Sequence, residues 1–183
     1  MKEYKLPIGC DVPETIILAD GDFPSHPLAL EWLRQCPYVV CCDGAANTYI
    51  RSGRMPEAIV GDGDSLLPDI KERYASLIHS EAEQETNDLS KAFRFCLSQE
   101  RKRITIMGAT GKREDHTIGN VSLLADYMEQ AEVSMMTDYG IFVPIREDSM
   151  FESYIGQQIS VFNMNSTALS AEGLAYPLSV FTN

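Results

Sequence analysis

A chain of 183 residues, 44% hydrophobic and 23% charged, is long enough to bury a sizeable core and too apolar for a disordered segment. Its net charge of −12 excludes a general nucleic-acid binder, which needs a basic footprint, and requires any phosphate-bearing ligand to be neutralised by a cation or by locally placed Lys and Arg. The five cysteines, Cys10, Cys36, Cys41, Cys42 and Cys96, form neither a C-x-x-C pair nor a Cys/His ligand spacing, so they read as buried free thiols and give zinc no support. The stretch Met1–Lys5 is polar and no apolar run approaches signal or membrane-spanning length, so a cytoplasmic protein without a membrane partner is expected.

Thr15–Ala19 reads as a short buried strand entering the turn Asp20-Gly21-Asp22-Phe23-Pro24. A helix is predicted from Pro27 to Gln35, with Trp32 on its core face. Tyr38–Cys42 is a second strand, ending in Asp43-Gly44-Ala45-Ala46-Asn47 and a short helical stretch to about Arg51. Glu57–Val60 is a third strand, and a helix opens at Pro68. Leu77–His79 suggests a brief strand, Asn87 to about Glu100 an amphipathic helix, and Arg103–Met107 another strand. The glycine-rich loop 108–116 then leads to a helix predicted over Thr117–Glu129. From Glu132 only short β-like pieces recur, at 133–136, 141–145, 158–162 and 168–169. This order predicts a parallel α/β domain over residues 1–130 and a small antiparallel β unit over 131–183.

Ligands bind outside the carboxyl ends of strands in open α/β sheets. Three features fall there: Asp43, the pair Asp62 and Asp64 after Val60-Gly61, and the 108–116 loop. In an extended segment residues i and i+2 share a side, so Asp62 and Asp64 can offer oxygen donors to one hard cation such as Mg²⁺. The same Asp/Gly/Ser composition also serves a plain turn. Asp88 sits in a first helical turn, which acids favour, and Lys91 lies one turn on. In the loop, backbone N–H groups can receive an anion and Arg113 suits bidentate phosphate contact, whereas His116 alone reads as structural. Gly108–Lys112 lacks the glycine spacing of a P-loop and the hydroxyl residue after its lysine, which excludes that motif.

Four blocks in this order resemble the thiamine pyrophosphokinase family: Asp43–Asn47, Gly61-Asp62-Gly63-Asp64-Ser65, Gln84 through Asp88 to Lys91, and Gly111 through His116 to Asn120. A fifth, Gly173-Leu174-Ala175-Tyr176-Pro177-Leu178, resembles the family's late G-L-x-Y-P-L segment. The resemblance implies an N-terminal nucleotide-binding α/β domain, a C-terminal β-sandwich that binds thiamine, and a homodimer. It implies pyrophosphoryl transfer from ATP to thiamine, with Mg²⁺ on Asp62, Asp64 and Asp88 and with Asp43 beside the metal and phosphates. Asp43, Asp64 and Asp88 are the implied catalytic residues. Gln84 would lie on the thiamine side, and Lys91, Arg113 and His116 would face the triphosphate. Asp115 would hold neighbouring cations, and Asn47, Ser65, Thr110 and Gly111 would complete the substrate contacts. Gly63, Asn87, Ala45 and Lys112 depart from the family's usual aromatic, threonine and two glycines. Family members continue past the Pro177-Leu178 block, so the β-sandwich is expected to be C-terminally incomplete. The same carboxylates would also serve a Mg²⁺-dependent nucleotide or pyrophosphate hydrolase, or a thiamine- or nucleotide-binding protein without turnover.

Overall fold

The computed structural model describes residues 1–7, 11–80, 85–164, 169–176 and 178. Six parallel strands form the central sheet. They are β2 (Thr15–Leu18), β3 (Val39–Cys42), β4 (Ala58–Gly61), β5 (Ile78–Ser80), β6 (Arg103–Met107) and β7 (Glu132–Met136), in the spatial order β5-β4-β3-β2-β6-β7. The short strand β8 (Ile141–Phe142) joins the β7 edge antiparallel. The remaining strands, β1 (Lys2–Tyr4) and β9 (Ser149–Phe151), make a separate parallel pair.

The central strands are buried along their length because helices cover both faces, as expected of parallel sheets. Successive side chains alternate between the two cores. Ile16, Leu18, Val39, Cys41 and Ile59 pack toward α1 (Pro27–Gln35), α2 (Ala45–Arg51) and α3 (Pro68–Arg73). Ile17, Val40, Val60 and Ile106 pack toward α4 (Asp88–Ser98) and α5 (Glu114–Tyr127). Trp32 is buried in the first core, as its helical position predicts. In the second, Phe93 stacks on Tyr127 with ring centroids 3.9 Å apart.

Local chemistry sets the helix starts. Pro27 occupies the first turn of α1, and the Nδ1 of His26 accepts the Leu28 N–H at 3.2 Å. The Asn87 Oδ1 caps α4 by accepting the Ser90 N–H at 2.9 Å, an arrangement worth about 1 kcal/mol. The last helix begins at Glu114, three residues before the predicted Thr117, because Glu114 and Asp115 complement the positive end of the helix dipole.

The main sheet continues beyond residue 130. Glu132–Met136, expected as the first piece of the C-terminal β unit, pairs parallel with β6 and buries Val133, Met135 and Met136. Of the predicted 141–145 strand only Ile141–Phe142 is extended, and 158–162 has no ladder partner among the described residues. Leu169 lies in no strand, and Ala168 lies outside the described residues. The described C-terminal residues therefore form no antiparallel sandwich; after Met136 the only strands among them are β8 and β9.

Chain order reverses between β2 and β6: β3, β4 and β5 extend one way from β2, while β6 and β7 extend the other. The carboxyl ends of β2 and β6 thus open a crevice at a topological switch point, the usual ligand position in such sheets.

Candidate active site

Asp43 follows β3 directly and is 3% exposed. It adopts φ +31°, a left-handed conformation that Asp tolerates better than most side chains. The β4 end approaches so closely that a Cβ on Gly61 would stand 2.8 Å from the Asp43 Cβ. One Asp43 oxygen, Oδ2, accepts the Ser65 N–H at 2.9 Å. The other, Oδ1, is buried and has no hydrogen-bond partner among the described residues. Burial pushes the Asp43 carboxyl above its ordinary range; the Ser65 hydrogen bonds oppose this, and nearby Asp88 and Asp62 add to it.

The loop after β4 is held around Asn47 of α2, whose Nδ2 donates to the Ser65 carbonyl at 2.8 Å and whose Oδ1 accepts the Leu67 N–H at 3.0 Å. Within it the Asp62 Oδ1 accepts the Asp64 N–H at 3.1 Å, an Asx turn that leaves both side chains exposed. Gly63 takes φ +78°, and its carbonyl accepts from the Lys71 ammonium at 2.9 Å. The turn reading and the ligand reading of Asp62-Gly63-Asp64 therefore coexist: the turn displays the carboxylates.

At the start of α4 the Asp88 carbonyl lies 3.6 Å from the Cys42 Sγ, which ties this helix to the β3 end. The Asp88 carboxylate meets the ammonium of Lys91 at 3.2 Å. Lys91 is buried, which places its charge against Asp88 and not on the solvated helix face. Among the described residues no three His, Cys, Asp or Glu side chains already stand together as a metal cage.

Across the crevice the loop after β6 is stitched to the loop after β2. Gly21 N–H donates to the Gly108 carbonyl at 2.6 Å, and Asp22 N–H donates to the Thr110 carbonyl at 2.9 Å. A Cβ on Gly108 would fall 2.6 Å from the Ala19 carbonyl oxygen, and the residue takes φ +64°, so glycine is required there. The Asn120 Nδ2 donates to the Ala109 carbonyl at 2.8 Å, and the Asn120 Oδ1 accepts from Asn87 at 3.1 Å. This buried amide joins the glycine-rich loop to the helix that carries Asp88.

Arg113 and Asp115 face each other, with Arg113 Nε donating to Asp115 Oδ1 at 3.1 Å. Hydrogen bonding from Arg113 holds the exposed Asp115 carboxyl down to about 2. His116 is exposed on the first turn of α5, while Thr110 and Gly111 sit in the stitched loop. Asp43, Asn47, Ser65 and the Asp62/Asp64 turn are thus brought together, with Asp88 beside them. Arg113, Asp115 and His116 lie on the exposed start of α5, and Gln84 falls outside the described residues. Sequence reasoning missed Asp20, although it too is a carboxylate at the end of a buried strand, and assigned no bridging role to Asn120.

Residues 29–136 match the family profile described as thiamin pyrophosphokinase, catalytic domain, and residues 140–183 match the one described as thiamin pyrophosphokinase, substrate-binding domain. A thiamine pyrophosphokinase 1 of Oryza sativa subsp. japonica is 30% identical, the match covering 57% of this chain and 49% of that protein. The chain spans about half the length of the curated relatives it matches. The crystal structure of thiamin pyrophosphokinase from Geobacillus thermodenitrificans superposes with a TM-score of 0.55 at 26% identity, covering 67% of this chain and 58% of that one. The yeast thiamin pyrophosphokinase structure, at 17% identity and a TM-score of 0.57 over 74% of this chain and 63% of that one, shares the fold. With the catalytic profile spanning more than half of its residues, the chain belongs to the thiamin pyrophosphokinase family.

Proposed function

We propose that the chain carries the catalytic part of an enzyme that moves the pyrophosphoryl group of ATP onto the hydroxyl of thiamine, giving thiamine pyrophosphate and AMP. The observation that carries the reading is the meeting of Asp43, the Asp62/Asp64 turn and Asp88 at the carboxyl end of one sheet, in a member of this family. In this reading the α/β domain takes the nucleotide and the residues after it contribute to thiamine binding. A second copy of the chain is the proposed partner, a reading supported by the exposed apolar side chains Ile155, Phe162 and Tyr176.

The donor set suits Mg²⁺. All its members are hard oxygens, and the unpartnered Asp43 Oδ1 is an acceptor that burial leaves in want of a positive charge. Asp62, Asp64 and Asp88 would hold the ion, with Asp43 beside it; Mg²⁺ needs no closed protein cage, because one or two carboxylates plus phosphates and water satisfy it. When bound, it supplies charge neutralisation and polarisation at phosphate oxygens.

The remaining work falls to the protein. The thiamine hydroxyl oxygen bonds to the β-phosphorus as the bond from that phosphorus to the α,β-bridging oxygen breaks, and AMP leaves with the electron pair. The hydroxyl proton passes to one of the aspartates. Lys91 and Arg113 would offset charge on the transferred and departing phosphates, and the 108–111 loop would position them through backbone N–H groups.

The test is a paired assay of AMP and thiamine pyrophosphate formed from ATP and thiamine with Mg²⁺, with arms that omit thiamine or metal. Equal, thiamine-dependent amounts of both products are expected. ATP breakdown that ignores thiamine would replace the transferase with a hydrolase, and binding without product would leave a non-catalytic binder.

A further inference from the structure

Lys112 and Asp20 bridge the switch-point crevice, and the function proposed above gives neither a role. The Lys112 Nζ donates to the Asp20 carbonyl at 2.9 Å and stands 3.1 Å from the Asp20 Oδ1. Lys112 does this from φ +55°, a left-handed backbone that costs a lysine strain and a glycine almost none. Strain held at a ligand-facing loop is informative when a contact depends on it. The pair borders a cavity of about 130 Å³ that Gly21, Phe23, Ala45, Thr48 and a second carboxylate, Asp22, also line.

Asp20 adds a further carboxylate to an already acidic mouth. Its Oδ2 lies 2.6 Å from where a Cβ on Gly44 would stand, and Gly44 directly follows Asp43. Left bare, Asp20 would oppose any polyanion entering between β2 and β6. Both partners are about half exposed, so the pair adds little to stability. Its effect is on the local field.

We propose that Lys112 and Asp20 are a charge-compensating pair that sets the affinity of this crevice for a polyphosphate. Lys112 neutralises Asp20 and does not itself contact the phosphates. The inference rests on the function proposed above, and it makes Lys112 a positioning residue for charge.

The test measures binding of inorganic triphosphate to the 183-residue chain by titration calorimetry at fixed Mg²⁺. The variants are Lys112→Met, Asp20→Asn, the double variant, and Lys112→Gly, which relieves the left-handed strain and guards against misfolding. Lys102→Met, at the opposite end of β6, controls for the same change in net charge. Lys112→Met and Lys112→Gly are expected to weaken binding about tenfold, the scale of a half-exposed charge acting on a polyanion. The double variant should return to within about twofold of the parent, Lys102→Met should match the parent, and the Lys112 effect should shrink as salt rises.

Unchanged binding in both Lys112 variants, with the parent binding well, overturns the pair and leaves the proposed function standing. Weak binding that Asp20→Asn fails to restore also overturns compensation, since Lys112 would then touch the ligand. A parent chain that binds no triphosphate overturns the proposed function and this inference with it.

Discussion

Replacing Asn120 by Ala should cost more than a surface polar change, because one amide serves two elements of the site. Asn120 is 7% exposed and Ala109 4% exposed, so water does not replace the lost partner. The substitution removes the 2.8 Å bond to the Ala109 carbonyl and the 3.1 Å bond from Asn87. Two net hydrogen bonds are worth about 2 kcal/mol, and a buried carbonyl left unpaired adds about 1–2 kcal/mol. The expected loss is therefore about 3–4 kcal/mol, or roughly 6–16 °C in Tm for a chain of this size. Urea unfolding followed by far-UV circular dichroism reads it as a fall in midpoint at unchanged slope. A double-mutant cycle with Asn87→Ala should give a coupling of about 0.5–1.5 kcal/mol. A single-variant loss below about 1 kcal/mol, or a cycle that closes to zero, would refute the claim that Asn120 links the loop to the Asp88 helix.

Gly108→Ala should lose about 2–4 kcal/mol in the same assay, since it combines a φ of +64° with a Cβ 2.6 Å from a backbone oxygen that cannot swing away. Under the proposed function Asp64→Asn and Asp88→Asn should each lower turnover by on the order of 10²-fold, because each would remove a charge from the set that holds the metal; near-normal turnover in steady-state assays would remove that residue from the site. Asp64→Asn should keep the parent's midpoint, whereas Asp88→Asn should lower it, since the buried Lys91 ammonium loses its carboxylate. Asp138, in the turn between β7 and β8, accepts the Ser25 and His26 N–H groups at 2.9 Å each and the Ser25 hydroxyl, and the Ser25 hydrogen bond leads in holding its carboxyl below the ordinary range. A folded-state value below the unfolded one gives stability that is present above about pH 4 and lost as acid protonates the folded form. Asp138→Asn should therefore flatten the acid limb of a stability–pH curve below about pH 4, and identical limbs would contradict the contact.

The strands of the site were legible because each buried apolar run ends in a residue that stops it. Asp43 after Val39–Cys42 and Asp62 after Ala58–Gly61 follow that rule, and the apolar spacing from Asn87 onward marks α4, although its Asn87 cap shows only in the structure. Partners distant in sequence were not legible. Glu132–Met136 has the same local pattern whether it opens a new unit or closes the old sheet; the choice is made by α5, which returns the chain beside β6. The contacts Lys112–Asp20 and Asp138–Ser25 span 92 and 113 positions and leave no spacing signal. Polar Lys2–Tyr4 carries no strand pattern of its own and becomes one only against Ser149–Phe151.

That last pairing bears on the order in which the molecule assembles. Lys2–Tyr4 has no neighbour in the main sheet, and its ladder and the Tyr4–Phe151 ring stack, 4.7 Å between centroids, need residues nearly the whole described length away. At about 5–20 residues per second of synthesis, the first strand waits on the order of 10 s for its mate, during which β2 to β7 can already pair. The clip therefore closes after the central sheet and, being two short strands with half of their residues exposed, opens before it. Amide hydrogens of Tyr4 and Phe151 should exchange well before those of β2, β3 and β6.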